Sequence, residues 1–146
     1  IGGAVDDHCQ VVRDVYEKLY EPGRQAEVGG ISGPNYFITT CKIAEMIKYV
    51  TNCFFASKIT IMNEFYDICD HIGIDYNEVI SGALSDERIY PMHTKVPGTD
   101  GKRGFGGRCF PKDIKALASF AASNNVDISV LESIIKKNNT SRYSER

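Results

Sequence analysis

The sequence has no cysteine pair at CxxC spacing, no long apolar run, no marked excess of either charge and no internal repeat. Each absence excludes a class of protein. Five cysteines (Cys9, Cys41, Cys53, Cys69 and Cys109) are an odd number, which argues against a disulfide framework or a zinc cluster and points to a reducing cytoplasm. No stretch approaches the roughly 20 apolar residues that span a bilayer, so no membrane partner is expected. A formal net charge of -2 leaves no electrostatic footprint for nucleic acid. The opening Ile1-Gly2-Gly3 has neither a methionine nor a basic segment followed by an apolar one, so no signal peptide is expected. Neither GxGxxG after a strand nor GxxxxGK[ST] occurs, and the histidines His8, His71 and His93 lie far apart, so no metal site is expected.

What is present is ordinary in bulk and particular in pattern. The 146 residues, 42% hydrophobic and 25% charged, suffice for one domain with a modest core. Ile1-Gly2-Gly3 reads as the end of a strand. Apolar residues at 11, 12, 15, 16 and 19 predict a helix over 7–20, ended by Pro22-Gly23. Residues 24–34 read as loop, and 36–40 as a short strand. From Cys41 to about His71, Ile43, Ile47, Val50, Phe54, Ile61, Phe65 and Ile68 recur at helical steps. Thr39 or Thr40 is the expected N-cap and Gly73 the expected stop. A helix of that length, about 45 Å at 1.5 Å per residue, outruns the core of so short a chain, so part of it should pack on another domain or subunit. A shorter helix over 75–84 should turn Val79, Ile80 and Ala83 inward. After a long loop over 85–108, Pro111 should open a helix to about Ser123, with Ile114, Leu117, Ala118 and Ala121 on one face. A last helix over 128–137 should fade into a polar tail, Asn138 to Arg146. The expected fold class is mainly α, built around one long helix, with at most a short strand remnant.

The chemistry concentrates in Gly104-Phe105-Gly106-Gly107-Arg108-Cys109-Phe110-Pro111-Lys112-Asp113. Glycines let backbone approach a ligand closely. A helix N-terminus and nearby cations favour the thiolate, the nucleophilic form of cysteine. A carboxylate one turn away could activate water against a covalent intermediate. Cys41, Cys53 and Cys69, at core spacing on the long helix, read instead as small buried hydrophobes, and Cys9 is undecided. Lys48 and Asn52, four apart, share a helix face, and Asn63 returns to nearly the same side. Such donors could serve a developing oxyanion, although a snorkelling lysine and a solvated asparagine fit the same spacing.

The run Gly104 to Asp113 resembles the active-site signature of the UDP-glucose/GDP-mannose dehydrogenase family, GFGGxCFxKD, at every defined position. Thr39-Thr40, Ala44-Glu45, Lys48 and Asn52 resemble that family's helix, and Asp86-Glu87-Arg88-Ile89 resembles its D-x-R-I segment. The segment 96–103 is longer than in many members. The resemblance implies a four-electron oxidation of a nucleotide-sugar C6 alcohol to a carboxylate with NAD. In that reaction Cys109 forms a thiohemiacetal and then a thioester, Lys48 and Asn52 stabilise oxyanions, and Asp113 assists water and proton transfer. It also implies that Phe105, Gly106 and Phe110 line the sugar pocket, that Arg88 reaches the substrate of a neighbouring subunit, and that Lys112 and Gly107 lie at the cofactor. The long helix, 41–72, is implied to form a homodimer. Residues 1–35 would end a nucleotide-binding domain and connect it to a helical catalytic and dimerisation domain over 36–146. An upstream Rossmann domain holding most of the NAD site, and a downstream domain gripping the nucleotide, are expected outside this chain, which alone should be inactive. Two other readings stand beside this one: a non-catalytic dimerisation module, and a cysteine-dependent transferase or hydrolase without nicotinamide.

Overall fold

The computed structural model describes residues 1–3, 6–19 and 36–143. Among them are five helices: α1 (Asp6–Leu19), α2 (Cys41–Ile72), α3 (Tyr76–Ala83), α4 (Cys109–Ser123) and α5 (Ser129–Tyr143). The fold class is mainly α, as the periodicity predicts. The chain divides into two compact units, Ile1–Lys48 and Tyr49–Arg146.

In the first unit, α1 carries the expected stripe, but Val11, Val12, Val15, Tyr16 and Leu19 are exposed, while Cys9 is buried. Residues 36–40 form no strand. Thr39 makes an isolated parallel bridge to Gly2: its N–H donates to Ile1 C=O (3.0 Å) and its C=O accepts from Gly3 N–H (3.1 Å). Pro22-Gly23, the loop expected over 24–34 and the end of the polar tail (144–146) lie outside the described residues. Thr40 caps α2, its Oγ1 accepting from Ile43 N–H. Cys41 is exposed, against the expectation of burial, because it occupies the first position of α2, ahead of the buried face formed by Cys53, Ala56, Thr60, Asn63 and Cys69.

In the second unit α2 ends as the sequence predicts. Gly73 takes φ +73°, its N–H donates to Asp70 C=O, and Ile74 N–H donates to Cys69 C=O, the paired bonds of a glycine-terminated helix. Asp75 caps α3 by accepting from Asn77 N–H at 2.8 Å. The buried residue of α3 is Tyr76, whereas Val79 is exposed. The core joins Cys53 and Ala56 of α2 to Phe105, Ile114 of α4 and Ile134 of α5; a second cluster joins Cys69, Tyr76 and Val96. α4 packs on α5.

Two helix ends differ from expectation. α4 begins at Cys109, so Pro111 is its third residue and not its first. The first four helical N–H groups have no intrahelical acceptor, so proline costs no hydrogen bond there. α5 runs on to Tyr143, through residues that read as a polar tail. Asn138 continues the buried stripe of Leu131, Ile134 and Ile135, and its polarity is satisfied by the glycine loop.

Candidate active site

The loop before Cys109 is held by side chains from α2 and α5. Asn63 is buried; its Oδ1 accepts from Gly104 N–H (3.1 Å) and Arg103 Nε (3.1 Å), while its Nδ2 donates to Ile59 C=O. That use of the amide makes Asn63 a loop-holding residue. Asn138, also buried, takes both main-chain groups of Phe105: Oδ1 accepts from its N–H (2.7 Å) and Nδ2 donates to its C=O (3.1 Å). Arg142 lies against the carbonyls of Arg103 and Gly104 and pairs with Asp100. A Cβ at Gly104 would collide with Asn138 Oδ1 and one at Gly106 with the Arg142 guanidinium, so the glycines are there for close approach. The Phe105 ring is 3% exposed and sits in the core.

Arg103 ties the same loop to α2. It donates to Asn63 C=O (3.0 Å) and to Asp67 (2.6 Å), and its guanidinium lies 4.9 Å from the Tyr66 ring centroid. Burial pushes the Asp67 carboxyl up, but hydrogen bonds from Arg103 and Lys137 outweigh it and hold the group below the usual carboxylate range.

Cys109 is exposed at the first position of α4, and Arg108 precedes it as the N-cap. One turn on, Asp113 is fully buried. Its Oδ2 accepts from Asn52 Nδ2 (2.5 Å) and its Oδ1 from Lys112 Nζ. Hydrogen bonding to Asp113 raises the Lys112 ammonium above its ordinary range. Burial, and secondarily the Asp113 charge, raise the Cys53 thiol, so Cys53 remains protonated core. An amide NH2 has two hydrogens; Asp113 takes one of Asn52's and leaves the second for a ligand. Lys48 stands one turn before Asn52 on α2, exposed, as the last residue of the first unit.

A cavity of about 330 Å³ opens beside the loop, bordered by Gly106, Gly107, Phe110, His93 and Lys95. The His93 ring lies between Phe55 (centroids 4.8 Å apart) and Phe110 (5.5 Å), the residue after Cys109. Burial, and then the charge of Lys58, hold its imidazole below the ordinary range, which favours the neutral ring. Nothing in its spacing singled it out. Arg88 lies elsewhere: its guanidinium pairs with Asp86 (2.6 Å) and borders a separate apolar depression with Phe54, Ile61, Tyr90 and Met92. No group of three or more His, Cys, Asp or Glu side chains that could hold a metal occurs among the described residues. None of their helices is long and apolar enough to cross a membrane.

Residues 42–140 match the model of the UDP-glucose/GDP-mannose dehydrogenase family, central domain. The chain belongs to that family. The chain is 34% identical over 128 residues to UDP-glucose 6-dehydrogenase of Rickettsia prowazekii (strain Madrid E), covering 88% of the chain and 26% of that protein. It is 42% identical over 101 residues to UDP-glucose 6-dehydrogenase YwqF of Bacillus subtilis (strain 168), covering 69% and 22%. Its fold matches a UDP-glucose dehydrogenase from the archaeon Pyrobaculum islandicum with a TM-score of 0.75 at 25% identity, covering 94% of the chain and 28% of that one. The chain thus spans about a quarter of the length of these relatives.

Proposed function

We propose that the chain carries the covalent-catalysis site of a UDP-glucose 6-dehydrogenase, oxidising the sugar C6 alcohol to a carboxylate. One observation carries the reading: an exposed Cys109 opens α4, one turn from a buried Asp113 gripped by Asn52 and Lys112, in a member of this family. The Cys109 thiolate forms a C–S bond to the C6 aldehyde carbon, and the carbonyl electron pair moves onto oxygen, giving the thiohemiacetal. Lys48 and the second hydrogen of Asn52 hold that oxyanion. Once C6 is at the thioester level, Asp113 takes a proton from the attacking water, and the C–S bond breaks to return the thiolate and release the carboxylate.

NAD, when bound, is the electron acceptor for both oxidations. The residues present fit it in part: Lys112 exposes 64% of its side chain, and Gly107, with φ +76° and open space where a Cβ would stand, leaves room for a nicotinamide. Phe105, Gly106 and Phe110 border the sugar cavity, and Arg88 extends toward the site of a second copy. In this reading residues 1–35 close a nucleotide-binding domain, residues 36–146 form the catalytic and dimerisation domain, and the protein is cytoplasmic. The sequence holds no dinucleotide fingerprint, so the 146 residues alone do not turn over substrate.

A chimera tests this: residues 42–140 replace the matching segment of the Bacillus subtilis YwqF protein. Reduction of NAD by UDP-glucose, lost in C109S and reduced by about 10²–10³ in kcat in K48A, is the expected result. A folded chimera that is inactive, or one that C109S leaves active, removes the reading.

A further inference from the structure

We propose that Asn63 and Asn138 are positioning residues for the reactive thiol. They act through the main chain of residues 103–105 and touch neither substrate nor cofactor. The inference rests on the assignment of Cys109 as the nucleophile and adds a second tier of residues to it. Three observations carry it. Both asparagines are buried, Asn63 2% and Asn138 6% exposed, in a position where an unpaired amide would be costly. Both direct their amides at the backbone of one short segment, from two different helices: Asn63 from α2 to Gly104 N–H, Asn138 from α5 to both polar groups of Phe105. The segment has been cleared for them, since a Cβ at Gly104 would strike Asn138 Oδ1.

The consequence is geometric. Gly104 and Gly107 both take left-handed backbone conformations, φ +68° and +76°, that a glycine-rich loop is free to leave. With Gly104 N–H and both main-chain groups of Phe105 held, and the Phe105 ring locked in the core, only Gly106, Gly107 and Arg108 separate the fixed point from Cys109. The asparagines therefore set where α4 begins and where the Cys109 Sγ points relative to the Asn52–Asp113–Lys112 cluster. α5 takes part in the site through this contact, although no residue of it touches the thiol in the described hydrogen bonds.

The test uses the 146-residue chain and reads thiol chemistry, so its failure and that of the dehydrogenase reading are separate results. Cys109 and Cys41 are both exposed, and Cys41 opens α2 in the other compact unit, so it serves as an internal reference. The rate of pyridyl-disulfide exchange at Cys109 relative to Cys41 is followed by peptide mapping in wild type, N138L, N138D and I134V. I134V removes one buried methyl group from α5 and matches the stability cost of a lost hydrogen bond. In N138L the ratio should change by about fivefold or more, the equivalent of one net hydrogen bond, and exchange of the Phe105 amide should accelerate similarly. I134V should leave both at wild-type values. N138D adds a pH signature: a carboxylate can accept from Phe105 N–H but cannot donate to its C=O, whereas a protonated carboxyl does both. N138D should therefore shift toward N138L at about pH 8 and, because burial raises a carboxyl above its ordinary range, return toward wild type near about pH 5. An unmoved ratio in N138L, or equal shifts in N138L and I134V, overturns the proposal. Should N138L fail to fold, an N138D ratio that follows wild type at every pH overturns it instead.

Discussion

Asp113 shows how much one side chain can organise here. It is fully buried, and its two oxygens are divided between an amide from α2 and an ammonium from its own helix. Its charge also reaches Cys53, where it adds to burial in raising that thiol. Removing the carboxylate as D113A strands the Asn52 amide against an apolar void, which costs about 1–3 kcal/mol beyond the lost cavity contacts. D113N keeps the volume and can still accept from Asn52, but turns an NH2 toward Lys112. The urea midpoint of the chain should fall clearly in D113A and by less in D113N; equal midpoints in D113A and wild type would show the cluster to be neutral for stability. The motif made Asp113 legible in the sequence, and spacing made Lys48 and Asn52 legible as neighbours on one face. Asn138 and His93 were not legible in the same way. Asn138 reads as tail when polarity is equated with solvent exposure, while its steps of four and three from Ile134 and Ile135 place it on the buried stripe. His93 approaches Phe110 only through the path of a loop, which no periodicity encodes.

Among the elements, helix ends with a side-chain or glycine signal stand where the sequence predicts them, Thr40 at the N-cap and Gly73 at the C-terminus of α2, whereas Asp75, expected inside α3, proves to be its N-cap. Segments stabilised by tertiary partners are less legible in the sequence. The inward face of α3 is set by Tyr76, whose hydroxyl donates to Thr94 C=O at 2.6 Å in a buried setting, and whose ring meets Tyr66 edge-on at 5.5 Å. That hydroxyl also ties α3 to the long loop that leads into the site. Burial, and then Cys69, raise it from an ordinary 10.0 to about 12. A group whose folded value is raised stabilises the fold fully below its unfolded value and loses that contribution as pH climbs through the folded one. Y76F keeps the ring and leaves Thr94 C=O unpaired, at a cost of about 1–3 kcal/mol near neutral pH. The stability gap between wild type and Y76F should therefore be constant below pH 10 and shrink between 10 and about 12. Denaturation curves across that range check it, and a gap that stays constant through that range would show that the hydroxyl does not titrate there.

At the scale of the whole molecule, the part of α2 in the second unit carries more apolar surface than its own core uses. Phe54, Ile61, Phe65, Ile68 and Ile72 are 45–63% exposed and follow steps of seven, four, three and four, which puts them on one face. A single exposed leucine or phenylalanine needs no explanation, but a continuous stripe along a helix of 32 residues marks an interaction surface. The homodimer proposed for this family member would cover it, helix against helix about a two-fold axis. On such an interface each substitution appears twice, once from each copy. Phe65 lies in the middle of the stripe, and withdrawing two buried phenylalanines at about 1.5–3 kcal/mol each should weaken association by roughly 10²–10⁴-fold. F65K should therefore sediment as a monomer at concentrations where the wild-type chain is dimeric. Its helicity should be unchanged, because an exposed lysine is a good helix former and Phe65 contributes nothing to the buried clusters of its own chain. A wild-type chain that is monomeric at every concentration, or an F65K chain that dimerises as wild type does, would free the stripe from this role and leave α2 to be covered by a different element.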